Sequence, residues 1–146
     1  AREAAMMDIP GIAFSINGRT SENIDWAAEA AAKITVNTLQ HGFEKGKLLN
    51  VNFPNIPLSE VKGTMITKQG RSKFADSYNT VHDVIGREYH QLIGDFINLD
   101  DDDLSIDQNA IENGYISITP IKLDSTDHEE LELIRDWDFN SVLNRG

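Results

Sequence analysis

Asn50 and Asn52 alternate with Leu49, Val51 and Phe53 in a short apolar run closed by Pro54. Alternation at period two puts both amides on one face of a strand. In an open parallel sheet the carboxyl ends of strands border the ligand crevice, which makes Asn52 a candidate ligand contact. The competing reading is structural: buried amides must be hydrogen-bonded, and both side chains then tie down neighbouring backbone. A second group is the run Asp100–Asp103, with Asp95 and Asp107 nearby. Carboxylates suit Ca²⁺ or Mg²⁺, but adjacent aspartates lack the alternate spacing, central glycine and terminal glutamate of a calcium loop. The run reads as a solvated, self-repelling loop.

The four histidines, His41, His82, His90 and His128, include no pair at helical i, i+4 spacing. His82 and His90 can face each other across a hairpin, with Asp83 or Glu88 beside them, yet a zinc-type site needs about four ligands. They read as surface histidines. Ser15, Ser105 and Ser117 lie in or near apolar elements, and none sits in a Gly-x-Ser-x-Gly elbow, so a serine-hydrolase triad has no support. Asp124-Ser125-Thr126-Asp127-His128-Glu129-Glu130 is a helix start. Ser125, Thr126 or Asp127 caps it, and a glutamate three residues beyond Thr126 or Asp127 forms a capping box. Asp124 and His128 are expected to pair across this turn and to fix the angle at which the last helix leaves the sheet, a hinge and assembly role.

These groups must be held by strands and helices that the pattern also indicates. Ala1 to Met7 has helical spacing and no N-cap residue before it, so the chain is expected to begin inside an element. Asp8-Ile9-Pro10-Gly11 stops that helix, and Ile12 to Ile16 is a compact apolar strand of the kind buried in a parallel sheet. Asn17-Gly18-Arg19 is a turn. A helix runs roughly from residue 22 to 40, capped by Thr20 or Ser21 and closed by Gly42. Residues 48–53 follow as a strand, which completes a βαβ unit and implies a right-handed crossover. Residues 61–69 read as a strand, 76–80 as turn-rich, and 81–85 with 88–97 as an antiparallel hairpin about Gly86-Arg87. Residues 106–113 are a short helix stopped by Gly114, 115–121 a third sheet strand, and 127–139 the last helix with Leu131, Ile134 and Trp137 or Phe139 as its seam.

The 146 residues suffice for one domain or a large part of one, with 40% apolar content. There are 13 basic and 24 acidic residues and a net charge of −11. Long nucleic acids and anionic membranes are therefore unsuitable partners, because both demand a basic footprint. A single phosphate is still compatible with the chain, since a helix N-terminus or a cation holds one locally. No run reaches the ~20 apolar residues of a membrane span. Cysteine is absent, which fits a reducing compartment and leads to a cytoplasmic expectation.

Five segments in order carry a family resemblance: Ala1-Arg2-Glu3-Ala4 with residues 8–15, Leu48 to Pro54, Lys62 to Gly70, Ile106 to Ala110, and Gly114-Tyr115-Ile116-Ser117-Ile118-Thr119-Pro120. In this order and spacing the chain resembles the SurE (survival protein E) family of metal-dependent 5′-nucleotidases, and in particular the C-terminal portion of such a protein. The resemblance implies an α/β three-layer sandwich with a mainly parallel sheet, a protruding antiparallel hairpin arm at 62–97 and a C-terminal helix at 127–139, all within one domain spanning 1–146. It implies hydrolysis of nucleoside monophosphates with a divalent metal, Mg or Mn, in the complete protein, and a homo-oligomer, dimer or tetramer, built through the arm and the last helix.

The family's metal-binding aspartate pair, serine and asparagine all precede the segment that matches Ala1. The resemblance therefore assigns no catalytic residue and no metal ligand here, and this chain alone is expected to bind no metal and to be inactive. It places Arg2 near the substrate phosphate, because the family's phosphate loop lies just upstream. Ser105-Ile106 stands where the family usually has Gly-Thr, and the acidic loop before it is unusually charged. Two rival readings are a non-catalytic oligomerisation module built from the hairpin and last helix, and an acidic Ca²⁺-binding module.

Overall fold

A computed structural model describes residues 1–18, 22–42 and 44–139. The elements in order are α1 (Arg2–Met6), β1 (Gly11–Ile16), α2 (Ile24–His41), β2 (Lys47–Phe53), β3 (Gly63–Ile66), β4 (Ser72–His82), β5 (Glu88–Asn98), α3 (Asp107–Glu112), β6 (Tyr115–Lys122) and α4 (His128–Ile134), with a 3-10 turn at Leu58–Glu60. The main sheet has strand order β1-β2-β6-β3. β1 pairs with β2 and β3 with β6 in parallel, while β6 runs antiparallel to β2. The sheet is thus mainly parallel, as expected, with one antiparallel seam at its centre.

The βαβ unit forms because α2 can lie close on the sheet. Its alanines keep the backbones near each other while Ile34 and Trp26 fill the gaps. Ala27, Val51, Phe53 and Ile116 are the buried cluster, with Ile12, Ile16, Ala30, Ala31, Leu49 and Ile118 packed around it. The Phe53 ring stacks with Phe14 at 6.1 Å and meets the edge of Trp26 at 5.7 Å. The indole N–H of Trp26 donates to the Ile56 carbonyl at 3.1 Å, so the half-buried ring packs without an orphaned donor. Thr35 and Thr38 satisfy their hydroxyls within α2, donating to the Ala31 and Ile34 carbonyls.

α1 occupies the opposite face. A Cβ on Gly11 would stand 2.6 Å from the Ala1 carbonyl oxygen, so only glycine admits that crossing. Helices on both faces of the sheet give the three-layer sandwich.

Two local expectations change. The N-cap of α2 is Asn23, whereas Arg19, Thr20 and Ser21 lie outside the described residues. Residues 76–80, read as turn-rich, are the middle of β4. Each residue of β4 faces one of β5, from Ser72↔Asn98 to His82↔Glu88, in unbroken register. Cross-strand pairing overrides the turn preference of Asp76, Ser77 and Asn79. The two-stranded arm is therefore paired over 72–98, and residues 63–66, within the 62–97 span, lie in the main sheet.

Candidate functional site

The face of the sheet away from α2 carries a row of polar side chains. Register sets Ser15 of β1 beside Asn52 of β2, and Asn52 beside Ser117 of β6; one step back lie Ala13, Asn50 and Thr119. The Ser15 hydroxyl donates to the Asn52 side-chain carbonyl. Thr67, just past β3, shares hydrogen bonds with the Ser117 hydroxyl at 2.8 Å and the Thr119 hydroxyl at 2.7 Å. Ser117, Thr119 and Thr67 are buried, Asn50 and Asn52 half-buried and Ser15 exposed. The row thus runs from a sealed hydroxyl cluster to an open rim at the carboxyl ends of β1 and β2.

The structural reading of Asn50 and Asn52 does not hold. Among the described residues, neither side chain bonds a backbone group: Asn52 receives Ser15, and Asn50 makes no side-chain hydrogen bond. Both are only half-buried, so water can serve the amides and no backbone partner is demanded.

At the root of the arm the acidic loop is a set of turn fasteners. Asp100 accepts from the Arg71 backbone N–H and, at 2.8 Å, from its guanidinium Nε, and these contacts hold its carboxyl below the usual range. Asp107 accepts from the Gly70 N–H at 2.9 Å. Asp103 accepts from the Ser105 hydroxyl at 2.6 Å, the Ser105 N–H at 2.8 Å and Lys68 at 3.3 Å, and its carboxyl is pushed down to about 2. Buried Asn109 of α3 donates to the carbonyls of Asp101 and Asp103 at 2.6 and 3.0 Å. Carboxylates spent on local donors do not converge on a cation. Among the described residues no three His, Asp or Glu side chains are placed to hold a metal ion. No step through a metal is derived from the described residues.

The arm exposes an apolar face on which Phe74 lies opposite Phe96 and Tyr78 opposite Leu92. Gly94 is required beneath them, since a Cβ there would meet the Ala75 carbonyl and the Phe74 ring at 2.5 Å. His82 and His90 do not stand opposite each other; both approach Glu88, at 3.9 and 3.5 Å.

Asp124 and His128 do meet, with Nε2 of the histidine 2.7 Å from Oδ2 of the aspartate. The imidazole and the Thr126 N–H hold the Asp124 carboxyl well below the ordinary carboxylate range. Asp127 is the N-cap of α4, accepting from the N–H groups of Glu129 and Glu130. Arg2 is exposed at the start of α1, with no ion pair among the described residues. The Thr67–Ser117–Thr119 cluster and the Asn109 anchor were not anticipated. Their only trace in the sequence is polar residues at alternate places in an apolar strand and one asparagine in a short helix.

The chain is an α/β sandwich with a two-stranded arm, a capped terminal helix and a polar sheet rim. Residues 1–76 match the family model "Survival protein SurE". The chain belongs to the SurE family and corresponds to the C-terminal portion of its members. It is 32% identical over 145 residues to "5'-nucleotidase SurE" of Chlorobaculum tepidum, covering 99% of this chain and 55% of that protein. It is 36% identical over 139 residues to the protein of the same description from Symbiobacterium thermophilum, covering 95% and 54%. The crystal structure of the SurE protein from Aquifex aeolicus superposes with a TM-score of 0.72 at 30% identity, covering 92% of this chain and 54% of that one. The chain spans about half the length of the curated relatives it matches.

Proposed function

We propose that this chain is the scaffold part of a 5′-nucleotidase, a phosphomonoesterase acting on nucleoside monophosphates with a divalent cation, Mg²⁺ or Mn²⁺. The observation that carries the reading is alignment over 95–99% of the chain with proteins described as 5′-nucleotidase SurE. In this reading the cation ligands belong to polypeptide upstream of Ala1, and the cation polarises a phosphoryl oxygen when bound. The chain contributes the polar rim of the sheet, the arm and the hinge. Arg2, at the start of α1, lies toward the phosphate.

The same reading makes the protein a homo-oligomer. Phe74, Tyr78, Leu92 and Phe96 are each about half or more exposed on one face of the arm, a surface that fits burial against another copy. Asp124 and His128 set the departure of α4 toward a neighbour. A cytoplasmic location accords with the absence of cysteine; among the described residues no helix is long and apolar enough to cross a membrane.

The test is a phosphate-release assay with a nucleoside monophosphate and Mg²⁺ or Mn²⁺, run on the full-length protein and on residues 1–146 alone. Turnover by the former and none by the latter is expected. Turnover by residues 1–146 alone would place the chemistry in this chain and overturn the reading.

A further inference from the structure

Ser15 and Asn52 have no structural task that accounts for them. The buried hydroxyls of Ser117, Thr119 and Thr67 satisfy one another, and the sheet's own ladder holds β1 to β2. Asn52 receives the Ser15 hydroxyl on its side-chain oxygen, and this contact fixes which end of the amide points outward. A carboxamide locked by its oxygen presents its NH₂ group, a pair of donors. Those donors have no partner among the described residues. They sit where ligands bind in open α/β sheets, at the carboxyl ends of adjacent parallel strands. Asn50, two residues back on the same face, is likewise unengaged.

We infer that Asn52 is a substrate-binding residue for the neutral, nucleoside part of the substrate, and that Ser15 is its positioning residue. The inference rests on the nucleotidase reading and names the part of the substrate this rim takes. Among the described residues the groups that converge here are an amide and hydroxyls, with no lysine or arginine paired into the row. Uncharged donors suit the hydroxyl oxygens of a ribose or a carbonyl of a base; a phosphate dianion demands a cation or a nest of backbone N–H groups. Ser15 acts by fixing the amide orientation, since its own hydroxyl hydrogen is spent on Asn52.

The experiment uses the full-length protein with Mg²⁺ or Mn²⁺ and two substrates, a nucleoside 5′-monophosphate and phenyl phosphate, which has neither sugar nor nucleobase. The readout is the ratio of kcat/KM for the nucleotide to that for phenyl phosphate. Asn52→Ala is expected to lower this ratio about three- to tenfold, the loss that one neutral hydrogen bond represents. Ser15→Ala is expected to lower it in the same direction, and Ser15→Thr, which keeps the hydroxyl, to restore it. The serine pair keeps the question open to decision if Asn52→Ala does not fold. An unchanged ratio, whether both substrates suffer or neither does, overturns the assignment.

Calorimetric titration of the same nucleotide into wild-type and Ser15→Ala protein reads binding without turnover, and equal affinities overturn the assignment as well. A wild type that binds nucleotide through this pair yet hydrolyses neither compound sinks the phosphatase reading and upholds the binding role.

Discussion

The side-chain amide of Asn98, the last residue of the arm, donates to the side-chain carbonyl of Asn109 at 2.7 Å. Asn109 then spends its own NH₂ on the Asp101 and Asp103 carbonyls. One buried asparagine thus couples the arm, the acidic loop and α3. Replacing it with leucine strands two loop carbonyls and the Asn98 amide, which are partly shielded from water, and a group left unsatisfied costs up to about 1–3 kcal/mol. Asn109→Leu is expected to destabilise the protein by about 2–4 kcal/mol, measured by denaturant unfolding. A loss under about 0.5 kcal/mol would mean that the loop holds itself.

Gly94→Ala is expected to loosen the arm and spare the sheet. The added methyl collides with the Ala75 carbonyl, which is backbone and cannot step aside. Overpacking of this kind costs about 1–3 kcal/mol. Amide hydrogen exchange should accelerate across 72–98 and stay unchanged in β2 and β6; uniform acceleration would show that arm and sheet unfold as one unit.

Tyr78→Lys with Leu92→Lys sets two like charges opposite each other on the exposed face of the arm. The arm itself should persist, because its ladder is backbone. Mass in solution of the full-length protein is expected to fall to a smaller species. An undiminished mass means that the subunits meet elsewhere.

The pairing of Asp124 with His128 gives a pH signature. The folded carboxyl titrates below its unfolded counterpart. Its contribution is therefore complete above the ordinary carboxylate range, near pH 4, and is lost as pH falls below it through the folded value. Protection of the α4 amides should decline on the acid side in the wild type. In Asp124→Asn that part of the acid dependence should vanish. Identical acid profiles would remove the pair from any role in holding the hinge.

The βαβ unit was legible because apolar period, alanine spacing and breakers agree from Ile12 to Pro54. The pairing of Asp124 with His128 was legible because it is local, one helical turn apart. The antiparallel seam between β2 and β6 was not, since nothing in Tyr115 to Lys122 records its neighbour's direction. Pro120 shows why it is tolerated there: it lies beyond the stretch of β6 that β3 pairs, so its missing N–H faces no partner strand. Alternation put Asn50 and Asn52 on one face, but register alone brought Ser15 beside Asn52. Register is a property of the assembled sheet. The turn residues of β4 misled because eleven cross-strand pairs outweigh local preference.

The unbroken register of β4 and β5 makes the arm a stiff lever. Eleven residues at the rise of a strand reach about 36 Å, so a swing of about 5° at Arg71 and Asn98 moves the tip near Val84 by about 3 Å. The few polar fasteners at the fulcrum thereby govern where that tip comes to lie.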